Sequence, residues 1–253
     1  MPEDGRASPD LVRELEERAF NAWPALETRV VNGWLLRFAD GYTKRANSVN
    51  AWRPEVPLAD IVAHAAVLYR SRNLPLIVRL TPLADAGADA ALAVHGFSRA
   101  DETIVMTSAL GDISVAVDSA VIIAARPAPE WLSGFASASG IPEARRAIHD
   151  RMVARIAAPV AFAQLEDAGM PVAWGIAVVE RGFVGLFDIV TAPSARRQGA
   201  ARRLVGHLLH WAGTEGATSA YLQVVATNFP AIALYRSLGF ADVYRYHYRI
   251  APS

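Results

Sequence analysis

Asp188-Ile189-Val190-Thr191-Ala192-Pro193-Ser194-Ala195-Arg196-Arg197-Gln198-Gly199-Ala200-Ala201 is the most informative stretch of this chain. An apolar run ends at Val190, a loop with two arginines follows, and Gly199 opens a segment in which Leu204, Val205, Leu208, Leu209 and Ala212 recur at helical spacing. The order is strand, basic loop, helix. The first N–H groups of a helix have no internal acceptor and lie at the positive end of its dipole. Gly199 removes a side chain, so a diphosphate can approach the backbone. Ala200 and Ala201 keep that approach open, and Arg196 and Arg197 add positive charge. The segment reads as an anion cradle.

Working outward, three strands precede the cradle: Val160–Glu166, Val172–Glu180 and Phe183–Val190. Upstream of them lie a strand at 120–125 and helices at 129–137 and 142–157. Downstream come a strand at Ser219–Val225, a short helix at Phe229–Leu238 stopped by Gly239, and a strand at Val243–Ile250. An antiparallel meander followed by a β-α-β crossover makes a mixed sheet covered by helices. The first part of the chain has nearly the same order. A helix at 9–20 is capped by Ser8. Strands Thr28–Val31 and Trp34–Phe38 are joined by the hairpin signal Asn32-Gly33. A polar strand at Tyr42–Asn50, a helix at 58–72, a strand at Leu76–Leu80, a helix at Ala84–His95 and a strand at Thr103–Ser108 follow. Gly96-Phe97 in the first half matches Gly239-Phe240 in the second. The reading is a structural duplication, with domains at 1–112 and 120–253 and a change of character across 110–120.

The cradle resembles the signature of the GNAT superfamily of acyl-CoA-dependent N-acyltransferases, Gln/Arg-x-x-Gly-x-Gly/Ala, through Arg196, Gly199 and Ala201. The resemblance continues through Asn228, Ala231, Leu234-Tyr235 and Leu238-Gly239-Phe240, and through the order of elements from Val121 to Ile250. It implies a tandem GNAT-like α/β (α+β) fold with mixed, mostly antiparallel sheets flanked by helices. It also implies transfer of an acetyl group from acetyl-CoA directly to an amine. The backbone of Arg197, Gln198, Gly199, Ala200 and Ala201, with the charge of Arg196, would hold the pyrophosphate. Ile189 and Val190 would pair with the pantetheine arm where their strand splays from Ser219–Val225. Asn228 would contact the same substrate, and Tyr235 would serve as general acid to the leaving thiolate. A general base is also needed, because an ammonium has no lone pair. Asp188, a lone acid in an apolar strand, is the first candidate and Glu180 the second.

The first half departs from that signature. After its polar strand comes Ala51-Trp52-Arg53-Pro54-Glu55-Val56-Pro57, which has no glycine. It is expected to be a degenerate, non-catalytic repeat, with Arg45, Asn47 and Asn50 as possible acceptor contacts. His207 and His210 stand three apart without a third ligand, so no metal is expected. Tyr244, Tyr246 and Tyr248 alternate with Arg245, His247 and Arg249, the pattern of a half-buried strand.

Composition narrows the remaining choices. Among 253 residues, Lys plus Arg and Asp plus Glu are each 25, which gives no electrostatic lean towards nucleic acid or an anionic membrane. Cysteine is absent, so an acyl-cysteine intermediate, a disulfide and a thiolate metal site are excluded. No stretch reaches the ~20 apolar residues of a membrane span. Met1-Pro2-Glu3-Asp4-Gly5 lacks an apolar signal core, and a cytoplasmic protein is expected. Its partners would be small-molecule or peptide amines, and its state a monomer or homodimer. A non-catalytic acyl-CoA sensor and a structural interaction protein are the alternatives.

Overall fold

The computed structural model describes residues 7–112 and 117–252. Met1 to Gly5, read above as lacking an apolar signal core, and residues 113–116 of the segment 110–120 lie outside them. The chain runs α1 (Pro9–Ala22), β1 (Glu27–Val31), β2 (Trp34–Phe38), β3 (Val49–Ala51), α2 (Leu58–Arg70), β4 (Ile77–Leu80), α3 (Ala88–Val94) and β5 (Ser98–Ala109). It continues with β6 (Val121–Ala124), α4 (Pro129–Ser139), α5 (Glu143–Val153), β7 (Val160–Asp167), β8 (Met170–Glu180) and β9 (Phe183–Thr191). It ends with α6 (Ala200–Thr214), β10 (Ser219–Val225), α7 (Phe229–Ser237) and β11 (Ala241–Ile250). Mixed α/β architecture with mainly antiparallel pairing is therefore as expected.

Contacts divide the chain into two compact units. The first comprises the chain up to Val105, Val224–Asn228 and the stretch from Asp242 on; the second comprises Met106–Gln223 and Phe229–Ala241. Residues 112 and 120 thus both fall within the second unit, and most of β11 groups with the first.

Within the first unit β1 pairs with β2 and β2 with β3, both antiparallel; β3 pairs with β4 in parallel, and β4 with β11 antiparallel. The β1–β2 turn is set by Asn32 at φ 44° and Gly33 at φ 76°, as the Asn-Gly signal requires. Ser8 caps α1 by accepting from Leu11 N–H. Trp34, Leu36, Val49, Ile61, Tyr69 and Val78 form the center of the core. The Trp34 indole donates to Val56 O and the Tyr69 hydroxyl to Arg37 O, so these large rings are buried without orphaned polar atoms.

The expected strand at Tyr42–Asn50 is corrected: only Val49 and Asn50 belong to β3, and Lys44–Ala46 form a 3-10 turn. Asn47 is the cause. Its carbonyl oxygen accepts from Ala39 N–H and Gly41 N–H, and its amide donates to Thr43 O. This side-chain clamp offers the backbone an alternative to a ladder. Asn47 and Asn50 are 3% and 1% exposed, which withdraws both from the role of acceptor contacts.

Within the second unit β6–β7, β7–β8 and β8–β9 are antiparallel and β9–β10 is parallel. The buried face of α6 (Leu204, Val205, Leu208, Leu209 and Ala212) packs against β7, β8 and β9. The duplication is plain in the pairings. A meander, β1-β2-β3 or β7-β8-β9, leads through a helix, α2 or α6, to a parallel strand, β4 or β10. The last strand of each repeat departs from a simple copy. β11, which follows the second repeat in the chain, pairs with β4 inside the first unit.

Candidate active site

The parallel ladder between β9 and β10 runs from Phe183↔Ser219 to Leu186↔Leu222. From Phe187 to Thr191, β9 is held on its other side by β8, and that pairing is irregular. Ile176 pairs with Phe187 and Trp174 with Val190, so Asp188 and Ile189 together face Gly175. This is a β-bulge, and Asp188 takes the left-handed φ of 52° within it. Gly175 makes it possible: a Cβ there would stand 2.6 Å from Ile189 Cδ1. The bulge turns Asp188 out of the alternation of an ordinary strand and onto α5.

There Asp188 Oδ2 lies 2.9 Å from His149 Nε2. His149 is 1% exposed, and its Nδ1 is 3.0 Å from Asp150 Oδ1. Its ring stacks on Phe135 of α4 at 4.8 Å, and Phe135 stacks on Trp131. Burial is the largest influence on the imidazole and presses its pKa down. The hydrogen bonds and charges of Asp188 and Asp150 outweigh burial and raise it above the ordinary 6.5.

β9 then gives way to a 3-10 turn at Pro193–Ala195 and to α6. Arg197 and Gly199 both take left-handed conformations, at φ 62° and 83°. They swing the chain so that α6 starts immediately afterwards, with Gly199 at the N-cap bringing no side chain to cap its first N–H groups. Arg196, Arg197, Gln198 and Gly199 are exposed, and a Cβ on Gly199 would meet nothing within 4 Å. Arg196 donates to Thr191 O at 3.4 Å and Gln198 to Ser194 O at 2.9 Å, which braces the loop from beneath. Ala200 is buried and Ala201 half-buried; Ile189 and Val190 are half-buried. The cradle is therefore an open helix terminus at the end of the strand that carries Asp188.

Tyr235 lies on α7, 7% exposed, against the edge of Phe240. Burial pushes its hydroxyl up to about 12, so it is a neutral phenol throughout the physiological range. The Tyr235 carbonyl accepts from the N–H of Leu238 and of Phe240, which ends α7 at Gly239, φ 86°. Arg202 of α6 donates to Ser237 of α7 at 2.7 Å and ties the two helices together. Asn228 lies in the turn between β10 and α7, its N–H donating to Val225 O, and it groups with the first unit. Glu180, the second candidate base, pairs with Phe183 at the opposite end of β9 from Asp188.

His149 was not among the residues singled out from sequence. The signal was present: Met152 and Val153 share the buried side of α5 with it, so a histidine three residues before Met152 falls on the apolar face.

Comparisons with known proteins bear on this arrangement. Residues 10–249 match the family model described as "Probable histone acetyltransferase Rv0428c C-terminal". The chain belongs to this family. It is 30% identical over 246 residues to the Bacillus subtilis (strain 168) protein named "Uncharacterized N-acetyltransferase YobR", covering 95% of this chain and 99% of that one. It is 30% identical over 263 residues to the Mycobacterium tuberculosis (strain ATCC 25618 / H37Rv) protein named "Probable histone acetyltransferase Rv0428c", covering 96% of this chain and 74% of that one. Among solved structures, a GCN5-related N-acetyltransferase from Kribbella flavida superposes with a TM-score of 0.72 over 95% of each chain at 17% identity. A tandem GNAT protein from the clavulanic acid biosynthesis pathway has a TM-score of 0.59 at 17% identity, covering 77% of this chain and 70% of that one. The GNAT resemblance and the tandem GNAT-like fold are thus borne out, and the chain is an acyltransferase. Among the described residues no helix is long and apolar enough to cross a membrane.

Proposed function

We propose that the protein transfers an acetyl group from acetyl-CoA directly to an amine, and that the second unit performs the reaction. The observation that carries this reading is the course of β9. Its ladder with β10 stops at Leu186↔Leu222, the strand runs on through Asp188, Ile189 and Val190 alongside β8, and it leads into the open terminus at Gly199. A strand that runs on past the end of its ladder with a parallel neighbour suits an amide-bearing pantetheine arm. The N–H groups at the start of α6, where Gly199 brings no capping side chain, with the exposed Arg196 and Arg197 beside them, suit a diphosphate. The space above Gly199 fits such a group. Bound there, acetyl-CoA supplies an activated thioester.

The chain's own residues then divide the work. Ile189 and Val190 orient the arm by backbone hydrogen bonds. Asp188 accepts a proton from the attacking ammonium. Tyr235 donates a hydrogen bond to the departing thiolate. A thiol has an ordinary pKa of about 8.5, so complete transfer from a phenol at about 12 is uphill. Tyr235 therefore contributes chiefly as a donor that stabilises developing charge. Transfer is direct, since no cysteine is available. The acceptor is an amine, and because the Mycobacterium tuberculosis relative is named a probable histone acetyltransferase, a basic peptide with amine side chains is the first to try.

The test is thiol release from acetyl-CoA with a lysine-bearing peptide, a peptide with a free N-terminal alanine, and spermidine. Acceptor-dependent release that Gly199→Glu abolishes is expected. Release unaffected by Gly199→Glu would refute the placement of the diphosphate.

A further inference from the structure

Asp188, His149 and Asp150 form one line of side chains: Oδ2 to Nε2 at 2.9 Å, then Nδ1 to Oδ1 at 3.0 Å. The groups facing the imidazole come from three elements. They include Asp188 from β9, Asp150 from its own helix α5, and the Phe135 ring from α4. A histidine that only fills space needs one acceptor for its single N–H. Here a ring 1% exposed has a carboxylate at each nitrogen. The two ends also differ. The Asp188 side chain is 15% exposed at the bulge, whereas that of Asp150 is 40% exposed to solvent.

We propose that His149 is the proton-accepting partner of Asp188, and that Asp150 is a positioning residue that fixes the imidazole tautomer and stabilises its charged form. This rests on the acetyl-transfer reading. With Nδ1–H donated to Asp150, the Nε2 lone pair points at Asp188 Oδ2. A proton leaving the ammonium acceptor goes to the Asp188 carboxylate; the new O–H donates to Nε2, and the proton crosses to the ring. Asp188 is again a carboxylate, and the imidazolium lies between two negative charges. The freed nitrogen lone pair forms the C–N bond to the acetyl carbon, the C–S bond breaks, and sulfur leaves with its electron pair. The acceptor nitrogen sheds two protons. The first takes the Asp188–His149 path, and the second goes to the thiolate beside Tyr235. The imidazolium returns its proton to solvent after the product has gone, so one transfer releases one proton.

His149 must be neutral to accept, so turnover rises with pH through its folded pKa. That pKa is raised above 6.5: burial lowers it, and the Asp188 and Asp150 carboxylates more than offset burial.

Two measurements on the full chain test the proposal. One is kcat/KM against pH with acetyl-CoA and the lysine-bearing peptide; the other is the NMR titration of the His149 ring. Asp150→Asn, at a partly exposed position, is expected to move the rising limb and the NMR midpoint to lower pH together. His149→Gln is expected to lower kcat about 100-fold, with KM for acetyl-CoA changed less than about threefold. Wild-type kcat and pH profile in His149→Gln would overturn the proposal. If that variant fails to fold, an NMR midpoint that Asp150→Asn leaves unmoved overturns it without any turnover assay. Asp188→Asn separates the two levels. Unchanged turnover there refutes the base assignment itself, whereas its loss alongside a wild-type His149→Gln refutes only the part played by His149.

Discussion

Gly175 faces the bulge at Asp188 and Ile189, and the Ile189 side chain fills the space that a side chain on Gly175 would need. Leu204 Cδ2 and Leu208 Cδ1 of α6 stand 3.2 and 3.3 Å from the same point. The irregularity that aims Asp188 at His149 is thus locked from below by a missing Cβ. Gly175→Ala is expected to lower stability by about 1–3 kcal/mol, the usual cost of overpacking. Urea unfolding would show it as a lower midpoint at unchanged m. Turnover should fall in the still-folded variant, because Ile189 moves and Asp188 with it.

The first unit holds its own buried ion pair. Arg79 donates through both terminal nitrogens to Glu16, and the Tyr244 hydroxyl donates to the same carboxylate. Glu16 and Arg79 are 0% and 1% exposed, and the Arg79 guanidinium lies 3.7 Å from the center of the Tyr246 ring. Removing one partner leaves an uncompensated charge in the core. Glu16→Ala is expected to cost about 3–5 kcal/mol, read from urea unfolding. A loss below about 1 kcal/mol would mean that the pair carries no such weight.

Tyr235→Phe keeps the ring and its edge contact with Phe240 and removes only the hydroxyl. Turnover should fall about 10- to 100-fold while acetyl-CoA affinity stays near wild type, the signature of an interaction made mainly in the transition state. An equal loss of affinity would instead make Tyr235 a binding residue.

Asp89 of α3 is held near pKa about 2. The hydrogen bond from Arg249 is the largest cause, opposed by burial and aided by His247. Its folded pKa is depressed from 3.8, so its contribution to stability is present in full above that value and is lost as pH falls through about 2. Asp89→Asn should therefore narrow the stability gap to wild type as the pH is lowered from 5 to 2. A constant gap across that range would remove this ion pair from acid unfolding.

Local chemistry made most of the fold readable. The Asn32-Gly33 turn, the Ser8 cap and the apolar face of α6 each depend on neighbours a few residues away, and all are found where the sequence puts them. The Gly199 terminus was readable for the same reason. Long-range pairing was not. Ile250 of β11 lies beside Ile77 of β4, and nothing in an alternating strand names its partner. His149 meets an aspartate 39 residues away, so only its place on an apolar helix face betrayed it. The strand expected at Tyr42–Asn50 failed at Asn47, whose amide competes with ladder formation, a choice that propensity alone does not resolve.

Calorimetric titration with acetyl-CoA tests the central claim most directly, because it needs no acceptor. One equivalent should bind to the wild type, and Gly199→Glu should weaken that binding at least about 100-fold. The variant must be shown to be folded, since φ 83° is strained for any residue with a Cβ. Two equivalents, no binding, or one equivalent that Gly199→Glu leaves intact would contradict a single substrate cradle at the start of α6.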